Sequence, residues 1–220
     1  MVLLAFYLVT IRKESHELFG LLLIPATAMA ALAATAAGPA ANRFGPRTVL
    51  VSGLTVMLAG LLVLRSFDLN TSRTVVFVTA ALIVVGGALV TTPQATIMMG
   101  SAPADLGGAV SAVKSAVNEG GYSLGAALFA LVGINLFLTD SVRDLSKSGI
   151  TRAETREALL TAHGGRGAHL VDPEQARLVV DQATHNAVDA IHTLSLIMAV
   201  GPIAAIILAL WLINPANAGR

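Results

Sequence analysis

The charges in this chain leave long gaps, and those gaps limit what it can fold into more than anything else. Residues 18–42, 48–64, 74–104, 120–139 and 190–219 contain no Asp, Glu, Lys or Arg. A bilayer core about 30 Å thick is crossed by about 20 mostly apolar helical residues, so each gap has room for one crossing. The expected spans are 18–38, 48–67, 74–97, 108–138 and 191–213. The chain is 55% hydrophobic and only 12% charged, whereas a soluble domain is about 25% charged. The expected fold is therefore an all-α, polytopic membrane protein with about five full transmembrane helices.

Other classes drop out on composition. A net charge of +1 gives no basic surface for nucleic acid. The absence of cysteine removes disulfides, thiolate metal sites and a cysteine nucleophile. The sequence offers no nucleophilic triad, phosphate loop or carboxylate dyad, so it is not read as an enzyme, and it implies no cofactor.

Two stretches stand apart from the spans. Residues 1–10 are apolar but reach only about 15 Å as helix, half a membrane. They are expected to be the end of a spanning helix that begins outside this sequence; a short interfacial or re-entrant segment is the alternative. Residues 139–190 form a polar extramembrane region, with 14 of the 27 charged side chains between 140 and 189. Thr151 and Glu154 read as a capping box opening a helix over 152–163, and Gly164-Gly165 as its stop. Asp172-Pro173 opens a second helix that can run into the last span. Residues 214–220 are a C-terminal tail.

Four groups of residues could carry function. The turn after the first full span holds Gly38, Asn42, Arg43, Gly45 and Arg47. The glycines permit a tight turn and close helix approach, and the arginines can reach helix C-termini, carboxylates or lipid phosphates. On the fourth span, Ser111, Lys114, Ser115, Asn118, Glu119 and Tyr122 fall within about 140° of one another at 100° per residue, with Val113, Val117 and Leu124 opposite. Ionisable residues in a membrane usually face a bundle interior or a watery cavity. The stripe is therefore expected to line such a cavity, with Glu119 near mid-membrane as a carboxyl able to attract cations or exchange a proton; snorkelling by Lys114 and plain helix contact are the alternatives. Gly121 and Gly125, and Gly86 and Gly87, are expected to serve helix packing. Asp181, His185, Asp189 and His192 share one helical face, which leaves open a proton relay, a zinc site or the wet side of a helix entering the membrane.

These stretches resemble a known family. Gly38, Arg43, Gly45 and Arg47 match the Gly-x-x-x-Asp-Arg-x-Gly-Arg-Arg cytoplasmic loop of the major facilitator superfamily, although Asn42 replaces its acid and Pro46 a basic residue. The Phe19–Pro25 run, the Gly86-Gly87 to Pro93 segment and Ala102–Ala109 with Gly120-Gly121 and Gly125-Ala126 are similar to the fourteen-helix drug:proton antiporter branch. The resemblance implies the C-terminal half of a multidrug efflux transporter in the bacterial inner membrane. Its implied partners are the lipid bilayer, a missing N-terminal half, protons and small amphiphilic or cationic substrates. Asn42 weakens any gating role for the turn. A non-transporting membrane scaffold, or the inert remnant of a truncated transporter gene, is the rival expectation. The resemblance puts the 42–47 turn inside the cell. The positive-inside rule points the other way, with Arg12, Lys13, Arg65, Arg73, Arg143 and Lys147 on the opposite side against Arg43, Arg47, Lys114 and Arg220.

Overall fold

The computed structural model describes residues 1–12, 14–100, 103–133, 135, 139 and 173–212. Among them there is helix and no strand. Helix α1 is Val2–Ala5, widened over Phe6–Ile11 into π turns. Then come α2 (His16–Phe44), α3 (Pro46–Leu64), α4 (Arg73–Gly100), α5 (Gly107–Leu128, widened over Phe129–Gly133) and α6 (Pro173–Leu212). Hydrocarbon offers the backbone no hydrogen-bond partner, so a spanning segment must satisfy its own amides, as a helix does.

The chain is an all-α, polytopic membrane protein. Four helical stretches are long and apolar enough to cross a bilayer: His16–Phe44, Pro46–Leu64, Arg73–Gly100 and Thr184–Leu212. The expected fifth, over 108–138, is described in part: it is helical over Gly107–Leu128 and on through Phe129–Gly133, and most of its remainder lies outside the described residues.

Two boundaries also differ from expectation. The turn expected around 38–47 is helix as far as Phe44 and narrows to Gly45 alone. Ala40 and Ala41 are strong helix formers. Only Gly45, at φ +84°, adopts a conformation that other residues resist, and Pro46 restarts the helix at its first position. At the other end, the helix opened by Pro173 runs unbroken into the last span. The expected division at 190/191 is thus a change of polarity and not of backbone. Helix 173–190 is as expected, while 152–163 and 164–171 lie outside the described residues. Residues 2–11 are helical and pack with Leu64, Phe67, Val76 and Ile191, with Leu3, Leu4, Tyr7, Leu8 and Ile11 buried.

Helix α4 is the central strut, packed against both α2 and α3, and α6 lies on the far side of α3. Small residues let these helices approach. Helix α2 buries Ala26, Ala30, Ala37 and Ala41. At the α3–α4 crossing, a Cβ added to Gly86 would lie 2.5 Å from the Met57 nitrogen and 2.8 Å from the Gly53 carbonyl oxygen. Gly60 is as tightly placed, its virtual Cβ 2.7 Å from Ile83 Cγ1. Gly86 therefore has the packing role expected of it. At Gly87, Gly121 and Gly125 no described residue lies within 4 Å of an added Cβ. Gly53 and Gly60 are contacts the expected set missed, although seven-residue spacing on an apolar helix is a one-face signal.

Candidate functional site

Helix α5 carries the predicted polar stripe but buries none of its residues. Gly107, Val110, Lys114 and Asn118 are half-covered, and their spacing marks the side turned toward the rest of the chain. Ser111, Ser115, Glu119 and Tyr122 are exposed, Tyr122 at 73%. Val113, Val117 and Leu124 on the opposite side are equally bare. The stripe is thus split: Lys114 and Asn118 look inward, while Glu119 looks away from this chain. Helix α5 meets α4 near their junction, and Gly133 just beyond it touches Leu194 of α6, with an added Cβ only 3.0 Å from Leu194 Cδ1. Between those points the described residues bury none of it.

The arginine turn has a more definite geometry. Arg47 at the start of α3 donates from Nη2 to the carbonyl oxygen of Leu210, 2.7 Å away, in the last turn of α6. A cation there satisfies an orphan carbonyl and favours the negative end of the helix dipole. Of the partners open to the arginines, Arg47 takes a helix C-terminus. Arg43 lies over the ring of Phe44, 5.3 Å from its centroid. Asn42 is exposed, and no described residue lies within 4 Å of an added Cβ at Gly38. Arg47→Gln is expected to loosen the end of α6 and cost about 1 kcal/mol, the worth of one hydrogen bond. The single tryptophan, Trp211, sits beside the bond and is 83% exposed. Its fluorescence anisotropy in nanodiscs should fall in the variant.

A third cluster closes the opposite end of the bundle. The loop 65–72 folds on itself: the Asp68 carboxylate accepts from the Asn70 amide at 2.8 Å, and the Thr71 hydroxyl accepts from the Asp68 amide at 2.7 Å. Three segments then fasten to its carbonyls. Tyr7 donates its hydroxyl to Asp68 O at 2.6 Å, Arg12 donates to Thr71 O, and His192 Nε2 lies 2.7 Å from Phe67 O. Glu14 pairs with Arg12 at 3.6 Å and with Arg73 at 3.0 Å. Of the acidic–histidine face on α6, His192 is in this cluster with Asp189 3.8 Å from its Nδ1, and His185 is exposed. Among the described residues no three His, Asp or Glu side chains gather as a metal-binding group would require. Sequence reasoning missed the 65–72 anchors because the acceptors are backbone carbonyls, which residue identity does not reveal.

No protein-family model matches the chain, and no curated protein or solved structure does either.

Proposed function

We propose that this chain is the C-terminal half of a proton-coupled multidrug efflux transporter of the bacterial inner membrane, working only with a second helical bundle. Helix α5 carries the reading. It holds Lys114, Asn118 and Glu119 on a segment joined to membrane helices, yet the described chain buries none of its residues and leaves the Glu119 side exposed. A charged residue near mid-membrane costs about 2.5–3.5 kcal/mol on insertion scales unless it faces a bundle interior or water. A second bundle opposite α5 would supply that cavity, in keeping with transporters whose two halves rock about a midplane site. The resemblance at Gly38, Arg43, Gly45 and Arg47 points the same way.

In this arrangement Glu119 attracts a cationic substrate or exchanges a proton, and Asn118, Tyr122, Ser111 and Ser115 hydrogen-bond around it. Lys114 sets the charge of the inner side. The test begins with the coding frame upstream of Met1, which should continue through about eight further apolar helices. Cells expressing that continuous protein should extrude a cationic dye when a proton gradient is imposed. Glu119→Gln should lower efflux at least about tenfold at matched expression, equivalent to ~1.4 kcal/mol. Unchanged efflux with unchanged pH dependence would remove Glu119 from the pathway. No efflux from the continuous protein would leave the scaffold or remnant as the function.

A further inference from the structure

The geometry points to an anionic-phospholipid site at the 43–47 turn, where Arg43 and Arg47 hold the headgroup phosphate and the outer face of α3 carries an acyl chain. The inference requires only that the chain spans a bilayer, and it stands whether or not the chain transports. Three helix ends meet here. Helix α2 stops at Phe44, α3 starts at Pro46, and the Arg47 bond to Leu210 O brings in the last turn of α6. Trp211, 83% exposed in that last turn, is of the residue type that settles at headgroup depth.

The two arginines are poorly neutralised. They are four residues apart, so their Cα atoms lie within about 14 Å of each other. Arg43 rests on the face of Phe44 and makes no hydrogen bond or ion pair among the described residues. A guanidinium stacked on a ring keeps its N–H fork for a partner in its own plane. Arg47 has given one N–H to Leu210 O and has others to offer. Among the described residues the acid nearest this end is Asp105, exposed in the turn between α4 and α5 and paired with neither arginine. Lys114 lies about 10 Å along α5 and Glu119 about 18 Å. The opposite end is mixed: Glu14, Glu17, Asp68 and Asp189 stand among Arg12, Arg65 and Arg73, and Glu14 pairs with two of them.

A guanidinium fork fits the phosphate of a lipid and a free phosphate alike. What selects the lipid is a surface for its chain. Thr48, Ser52, Thr55, Ala59 and Leu62 form the exposed face of α3, at helical spacings of three and four. Ser52 and Thr55 donate their hydroxyls back to the carbonyls of Val49 and Val51, at 2.9 and 2.8 Å. The face is therefore shallow and presents carbon to an acyl chain. Thr48, at the headgroup end, has a hydroxyl without a partner among the described residues, and it can donate to a phosphate oxygen. A net negative headgroup is favoured, because the ammonium of a zwitterionic lipid would be repelled by the second arginine.

Trp211 is the only tryptophan, so its quenching reports the lipid beside the site. The full chain is placed in phosphatidylcholine nanodiscs with a minor share of lipid brominated near the carbonyl end of its acyl chains. The bromine is carried on phosphatidylglycerol in one set and on phosphatidylcholine in the other. Phosphatidylglycerol should associate about tenfold more tightly, and Arg43→Gln should lower that preference about fivefold, the share of one basic residue at an anionic surface. Arg43 is the residue to change because Arg47 also holds α6. Arg43→Lys keeps the charge without the fork and should still lose about twofold. Circular dichroism of both variants should match the parent and establish that they are folded. Inorganic phosphate at matched ionic strength should leave the quenching unchanged. Equal quenching by the two lipids would overturn the site. So would an undiminished preference in Arg43→Lys, which would mean diffuse attraction to a charged surface. Relief of quenching by inorganic phosphate would overturn the lipid and leave a site for soluble anions.

Discussion

Gly86→Leu is expected to separate α3 from α4 and leave little folded protein. A Cβ at this position would sit 2.5 Å from the Met57 nitrogen and 2.8 Å from the Gly53 carbonyl oxygen. Both are backbone atoms of a packed helix and cannot swing aside as a side chain does. Forcing extra atoms into a packed interior typically costs about 1–3 kcal/mol. Against backbone, alanine alone should reach the upper end of that range, and leucine should exceed it. Gly87 is the internal control, since nothing lies within 4 Å of its virtual Cβ. Gly87→Ala should be neutral or stabilise the helix by about 0.5–1 kcal/mol through lost backbone freedom. Thermal unfolding in nanodiscs reads the difference directly. Equal melting points for Gly86→Ala and Gly87→Ala would refute the tight crossing.

Tyr7→Ala is expected to be the most damaging truncation outside that crossing. The side chain is completely covered, and its ring meets Phe67 edge-on with centroids 4.9 Å apart. Emptying an aromatic site in a packed interior costs about 3–5 kcal/mol. The cost applies even though lipid surrounds the bundle, because the atoms that lose contact belong to the protein. Tyr7→Phe keeps the ring and removes only the hydroxyl that donates to Asp68 O. It should cost about 1 kcal/mol. Denaturant unfolding should separate the two variants by at least about 2 kcal/mol. A similar loss in both would mean that the hydroxyl, and not packing, anchors α1.

Much of the membrane architecture was legible in the spacing of charges, because a bilayer excludes charge wherever it is crossed. That signal located α2, α3, α4 and the apolar part of α6, most closely for α3 and α4. It failed where helix and membrane stop coinciding. Helix α6 starts at Pro173, well before its apolar span, because no helix breaker intervenes. Helix α2 continues past Gly38 and Pro39 to Phe44. The stripe on α5 was visible as a pattern, but which side of it meets protein depends on where α4 lies, and periodicity carries no such information. Gly121 and Gly125 share a face by spacing, which identifies that face without identifying its neighbour. The ties to Phe67, Asp68 and Thr71 use carbonyl oxygens, which every residue possesses.

The polarity of α5 also bears on how the chain enters a membrane during synthesis. A translocon releases each segment sideways into lipid when partitioning favours it, and Lys114 and Glu119 oppose that by a few kcal/mol each if centrally placed. Helix α4, with a mean hydropathy of 2.4 in its most apolar window, partitions readily by itself. Only residues 101–106 separate the two helices. Helix α5 would then enter as the second arm of a helical hairpin, carried in by α4, and its residence in lipid depends on the order of synthesis. Exchanging the order of the two segments in the gene should leave α4 inserted and strand α5 at the membrane surface.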